Sequence, residues 1–252
     1  MKRWWPLTVL VFLFLAPLVS RAEVSSAGVQ ELFLKAVEAY KTGDYETAVR
    51  LNTQALSSGV ESPALHYNLG NSYLRSRQLG RAIASYLRAK RLAPGDVDVL
   101  ANLSYARSMV SVPQPPETVP VWAVPLQMIS AGALRWAALF IFMLTATLVL
   151  AALYAGLKRR KIIPWAIQGG VLCIYCILGA GYRLADEAAL GVCLERTEVR
   201  FEPAPQATVY YKLPEGAEIR VLREKDGWIK IERADHKSGW VQAQSVARIG
   251  RN

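Results

Sequence analysis

Five side chains make up the whole cysteine and histidine complement: Cys173, Cys176, Cys193, His66 and His236. Cys173 and Cys176 have the C-x-x-C spacing of dithiol exchange, and three residues apart on a helix they share one face. Redox exchange is therefore one reading. Against it, a straight helix does not bring such side chains into disulfide geometry, no neighbouring cation lowers a thiol pKa, and cysteine also serves as a small apolar residue in helices. Cys193 stands apart, either as a buried spectator or as an intermolecular disulfide partner. His66 falls at a variable helix position and His236 in an expected turn, and neither has metal-ligand spacing. No Ser/His/Asp or Cys/His constellation, P-loop or glycine-rich dinucleotide fingerprint is present in the sequence. The expectation is no catalytic residue, no cofactor and no metal: an interaction protein rather than an enzyme.

The elements that carry these residues are set first by the run Lys158-Arg159-Arg160-Lys161. Trp136 to Leu157 before it and Ile162 to Tyr182 after it contain no charge. At about 1.5 Å per residue each stretch reaches roughly 30 Å, the thickness of a bilayer hydrocarbon core. Basic residues in short loops are retained on the cytoplasmic side. Two transmembrane helices, 135–157 and 162–182, are expected to flank a cytoplasmic basic loop, 158–161. Lys2-Arg3 followed by the apolar run Trp4 to Val19 reads as a secretory signal, 1–22, with cleavage after Ala22. Both features put the soluble segments on the exported side. The formal charge of +10 belongs largely to targeting and topology. The chain from Leu184 onward is balanced, with eleven residues of each sign. A nucleic-acid partner is excluded, because it would need a basic stripe on a folded domain.

Residues 29–62 and 63–96 form two units of 34 residues, the period of tetratricopeptide (TPR) repeats. In the second unit Leu69-Gly70, Tyr73, Ala82, Tyr86, Ala89 and Pro94 fall at the signature positions. The first unit resembles it at Gly43, Tyr45, Ala48 and Ala55, while Ala36 and Asn52 replace the usual glycine and aromatic, and Val60 stands where a proline is expected. Val97 to Met109 repeats the first-helix pattern alone and is read as a capping helix, completing a repeat domain over 23–110. In such repeats the first helices line the concave face. Phe33, Val37, Tyr40, Tyr67, Asn71, Leu74, Asn102 and Tyr105 are expected there, suited to an extended peptide or a partner helix. Asn71 and Asn102 match two positions of the carboxylate-clamp subfamily, but Tyr67 stands where its lysine would be.

A proline-rich linker, 111–121, precedes a moderately apolar interfacial segment, 122–134, in which Trp122 marks the headgroup level. Gly169-Gly170, Gly179 and Gly181 are expected to permit close helix contact. From Gly191 the pattern changes to short alternating runs broken by turns, including Lys225-Asp226-Gly227. The order "LPEGAEIRVL", "DGWIKIE", "GWVQAQSV" resembles bacterial SH3 domains over 191–250. Tyr210, Tyr211 and Trp240 are the expected surface residues, for a peptide or a cell-wall stem, with Trp228 partly packed.

The fold class is therefore multidomain: an all-α TPR array, a two-helix transmembrane hairpin and an all-β SH3-like small barrel. The whole order, with "ISAGALRWAALFIF" leading into the first span, resembles the BatE-like TPR/SH3 proteins of the Bacteroides aerotolerance (Bat) operon. That resemblance implies a two-pass scaffold of the inner (cytoplasmic) membrane with both soluble domains on the periplasmic side. Its implied partners are von Willebrand A-domain membrane proteins and a MoxR-type ATPase system. Membrane lipid is a further expected contact. The alternatives are a peptidoglycan-binding sensor or tether and a redox protein using Cys173 and Cys176.

Overall fold

The computed structural model describes residues 23–112 and 121–250; the expected signal segment and residues 113–120 of the linker lie outside the described residues. Five helices come first: α1 (Glu23–Lys41), α2 (Tyr45–Ser57), α3 (Pro63–Arg75), α4 (Leu79–Leu92) and α5 (Val97–Ser108). Their starts are set by local chemistry. The Asp44 carboxylate accepts from the Thr47 N–H at 3.0 Å, Pro63 takes the first turn of α3, and Asp96 accepts from the N–H groups of Asp98 and Val99. The helices cross closely because small residues sit at the crossings. A Cβ at Gly70 would lie 2.6 Å from the fully buried Tyr86 ring, and Ala48, Ala55, Ala82 and Ala89 are completely buried.

After a 3₁₀ turn (Val121–Leu126), α6 (Ala131–Tyr154) and α7 (Arg159–Ala189) pack antiparallel, and both are long and apolar enough to cross a membrane. Gly156, at φ +72°, takes the left-handed conformation that closes α6. The basic run is only partly a loop: Lys158 precedes α7, and Arg159, Arg160 and Lys161 form its first turn, exposed to solvent. On α7 the small residues face α6. A Cβ at Gly169 would collide with the Thr145 side chain of α6, one at Gly179 with Leu126 of the preceding 3₁₀ turn, and Cys176 and Ala180 are buried. Gly170 and Gly181 face open space. Cys173 Sγ donates to the Ala138 carbonyl at 3.5 Å, and neither it nor Cys176 is in a disulfide.

The seven-stranded antiparallel sheet comprises β1 (Leu190–Cys193), β2 (Thr197–Arg200), β3 (Val209–Leu213), β4 (Glu218–Lys225), β5 (Trp228–Glu232), β6 (Ser238–Gln242) and β7 (Val246–Arg248), in the order β3-β2-β6-β5-β4-β1-β7. The β4–β5 hairpin turns through Asp226 and Gly227, both with positive φ. Val199, Leu213, Ile219, Ile231 and Val241 fill the interior.

The array and the barrel share one core. Val192 of β1 and Ile249 beyond β7 pack with Ile83, Tyr86, Leu87 and Leu103 of the repeats. The Pro214–Ala217 turn brings Gly216 against Leu79, Ile83 and Val110, and the Gly80 N–H donates to Glu215 Oε1 at 2.8 Å. Arg107 of α5 grips the buried Glu218 carboxylate with two bonds, 2.6 and 2.9 Å, and Arg88 donates to the Arg248 carbonyl at 2.9 Å. α7 runs without a linker into β1, because Leu190 both ends the helix and opens the strand. The barrel is thus fixed to the repeats on one side and to the last turn of α7 on the other.

Candidate functional site: two open faces on one body

The first face is the side of the repeats turned away from the barrel, whose main contact is with α4. Tyr67, Asn71 and Asn102 do come together there, on α3 and α5, but as partners of one another. Asn102 Nδ2 donates to Asn71 Oδ1 at 2.9 Å and to the Tyr67 hydroxyl oxygen at 3.1 Å, while the Tyr86 hydroxyl donates to Asn71 Oδ1 at 2.7 Å. A network engaged in this way rigidifies the floor of the groove. Tyr67 supplies no positive charge for a carboxylate. Leu74 is half-buried against the shared core and Tyr105 is exposed.

Next to this network Ala36, Val37, Tyr40, Asn52, Asn68 and Asn71 line a cleft of about 60 Å³. Asn52 is buried on α2; its Nδ2 donates to the Ala48 carbonyl at 2.9 Å, and its Oδ1 has no protein partner among the described residues. The ring of Tyr40 meets that of Tyr45 edge-on at 5.4 Å, and the Arg75 guanidinium donates to the Tyr45 hydroxyl. The cleft therefore places a buried carbonyl-type acceptor without a protein partner among the described residues beside the Tyr40 ring. In the sequence Asn52 stood out only as a departure from the repeat pattern, and Asn68 gave no signal.

The second face is on the barrel. Phe201 and Tyr210 are exposed with ring centroids 4.5 Å apart, and Tyr210 meets Tyr211 at 5.2 Å. Tyr211 is held from behind: the Arg233 guanidinium lies 5.2 Å from its ring, and burial pushes its hydroxyl up to about 12. Trp240, expected at the surface, is only 6% exposed. It lies on β6 between β2 and β5, opposite Arg200 and Lys230, and the Arg223 guanidinium covers its ring at 5.3 Å. Trp228 is buried as well, and it is Phe201, not Trp240, that is exposed beside Tyr210. Phe201 was legible only as a variant in the opening loop.

The remaining chemistry-bearing residues are structural in their surroundings. Cys193 is fully buried, donates to the Glu195 carbonyl at 2.8 Å, and burial pushes its thiol up to about 12, so it stays protonated. His236 is exposed in a turn with φ +62°. His66 is buried beside Arg88 and Arg91, and neither ring nitrogen has a partner among the described residues. Burial first, then the two arginines, lower its pKa to about 4 from 6.5. The unfolded chain therefore binds a proton between about pH 6.5 and 4 that the folded chain refuses, so stability falls as pH drops through that window. At 1.36 kcal/mol per unit the loss approaches about 3 kcal/mol. Denaturation midpoints of the full chain at pH 7 and pH 4 measure it. A His66→Leu variant is expected to lose this part of the pH dependence, and an unchanged dependence would contradict it.

Residues 33–97 match the family model for the tetratricopeptide repeat, and residues 195–247 match that for the bacterial SH3 domain. No curated protein and no solved structure matches the chain. The chain thus combines a TPR-like helical array, two apolar helices and an SH3-like antiparallel sheet.

Proposed function

We propose that this protein is a membrane-anchored envelope adaptor, non-enzymatic, that holds exported protein partners through its repeat groove and its barrel. The observation that carries this reading is the shared core: the barrel closes over α4 and leaves both the Tyr40–Asn52 cleft and the Phe201–Tyr210 face open. Two recognition modules fixed to one body bind a bivalent partner, or two partners, at high effective concentration. In this reading the protein resides in the inner membrane with the basic turn in the cytoplasm and both modules in the periplasm, a placement that the basic run between the two apolar helices supports. By resemblance to BatE-like proteins, membrane-anchored von Willebrand A proteins and a MoxR-type ATPase system are the partner classes to look for.

The exposed Phe201–Tyr210 pair favours a second reading, in which the barrel takes a peptidoglycan ligand, since aromatic faces provide contact area at low entropic cost. Crosslinking of the full chain in native membranes, beside retention of the detergent-solubilised chain on purified sacculi, separates the two. The adaptor reading predicts defined protein adducts that weaken in Tyr40→Ala and Tyr210→Ala variants. Retention on sacculi without protein adducts would overturn it in favour of the wall tether.

A further inference from the structure

We propose that the turn joining α4 to α5 is a further membrane contact, seated in the phospholipid headgroup layer beside the segment that leads into α6. This rests on the reading of α6 and α7 as membrane spans. The level of the bilayer surface can be followed from one residue to the next. Arg183 is the first charged residue after the uncharged stretch of α7, so it marks the exported boundary. Its guanidinium donates to the carbonyls of Leu126 and Gln127, at 3.2 and 2.8 Å, which brings that segment to the same level. Met128 follows directly, and a Cβ at Gly95 would stand 3.6 Å from Met128 Sδ. The Pro94-Gly95 turn of the repeats is therefore at the boundary too. Arg91, in the last turn of α4, stands within electrostatic reach of Glu187, one helical turn above Arg183.

The side chains displayed there suit lipid. Val97 is 76% exposed at the start of α5 and Met128 68% exposed, with Ile129 next to it. In a water-soluble repeat this exposed valine and this exposed methionine gain nothing, whereas at a headgroup boundary both bury their apolar surface. The charge around this patch is mixed: Lys90 and Arg91 end α4 and Arg135 lies in the first turns of α6, against Asp96 and Asp98 at the start of α5, and Arg91 is itself paired with Glu61 at 2.6 Å. Asp96 is already engaged as the cap of α5. Phospholipid is the occupant because this patch is continuous with the spans themselves: Ile129 is two residues from the start of α6. The consequence is a second point of attachment that holds the α4–α5 end of the repeat array at the membrane, with α2 farther from it.

The test places the photocrosslinker benzoylphenylalanine at one exposed position at a time in the full chain, reconstituted in phosphatidylethanolamine/phosphatidylglycerol nanodiscs, and counts lipid adducts by mass spectrometry. Position 97 reports on the turn, position 148 on the exposed side of the C-terminal half of α6, and position 53 on α2. Lipid adducts at 97 within a few-fold of those at 148, with background at 53, are expected. Adducts at 148 with only background at 97 would overturn this contact and leave the spans intact. Background at both 97 and 148 would overturn the spans as well. Equal yields at 97 and 53 would show that the repeats touch lipid without the proposed orientation.

Discussion

Replacing Arg107 with alanine is expected to destabilise the folded chain by about 3 kcal/mol, because it leaves the Glu218 carboxylate buried without its bidentate partner. Glu218 is 2% exposed and opens β4 opposite Val192, in the strand pair that presses against the repeats. Loss of that bidentate pairing at a buried carboxylate is relieved by admitting water, which means opening the junction between array and barrel. The shared core goes with it. Val192 and Ile249 are buried side chains whose exposure costs roughly 1.5–3 kcal/mol each. The measurement is thermal unfolding of the full chain in nanodiscs, with hydrogen exchange read at the amides of β1 and β7. Protection is expected to fall there before it falls in α2 or α3. A double variant, Arg107→Met with Glu218→Leu, is expected to recover most of the loss, since an apolar pair of similar volume substitutes for a buried ion pair at little net cost. An Arg107→Ala chain with wild-type stability would mean that array and barrel do not rest on each other in solution.

The second large effect is expected in the hairpin. A leucine at Gly169 cannot be accommodated beside Thr145, so α6 and α7 must separate at mid-span, at a cost of about 2–3 kcal/mol. Gly170→Leu is the internal control: its neighbour position faces open space and the same added volume is expected to be nearly neutral. Thermal aggregation midpoints of the two variants in one lipid composition give the comparison. Equal effects at 169 and 170 would contradict this helix face.

The contrast between what could and could not be read from the sequence has a physical pattern. Short-range signals were legible. Gly70 and Tyr86 belong to one repeat and meet within it, and Asp226-Gly227 makes a hairpin whose two strands are adjacent in sequence. The uncharged stretches around the basic run gave the paired apolar helices, although the cations themselves lie mostly in the first turn of α7. Contacts distant in sequence were hidden. Arg107 and Glu218 look like ordinary members of mixed-charge segments, and only the folded chain brings them within 2.6 Å. Trp240 reads as a surface aromatic until Arg223, from a different strand, is laid over it. Tyr67, Asn71 and Asn102 are grouped correctly by repeat register, yet register alone does not reveal that they satisfy one another. Asn52 was hidden for the opposite reason: its interest lies in a partner it does not have.

In the proposed topology repeats and barrel stand on the same side of one membrane, opposite the basic turn. Single cysteines at exposed positions, Ser57→Cys in the repeats, Lys225→Cys in the barrel and Arg160→Cys in the turn, can be reacted in intact spheroplasts with a membrane-impermeant maleimide. Labelling at 57 and 225, with 160 labelled only after the membrane is opened, is the predicted result. Labelling at 160 in intact spheroplasts, or at only one of 57 and 225, would contradict it.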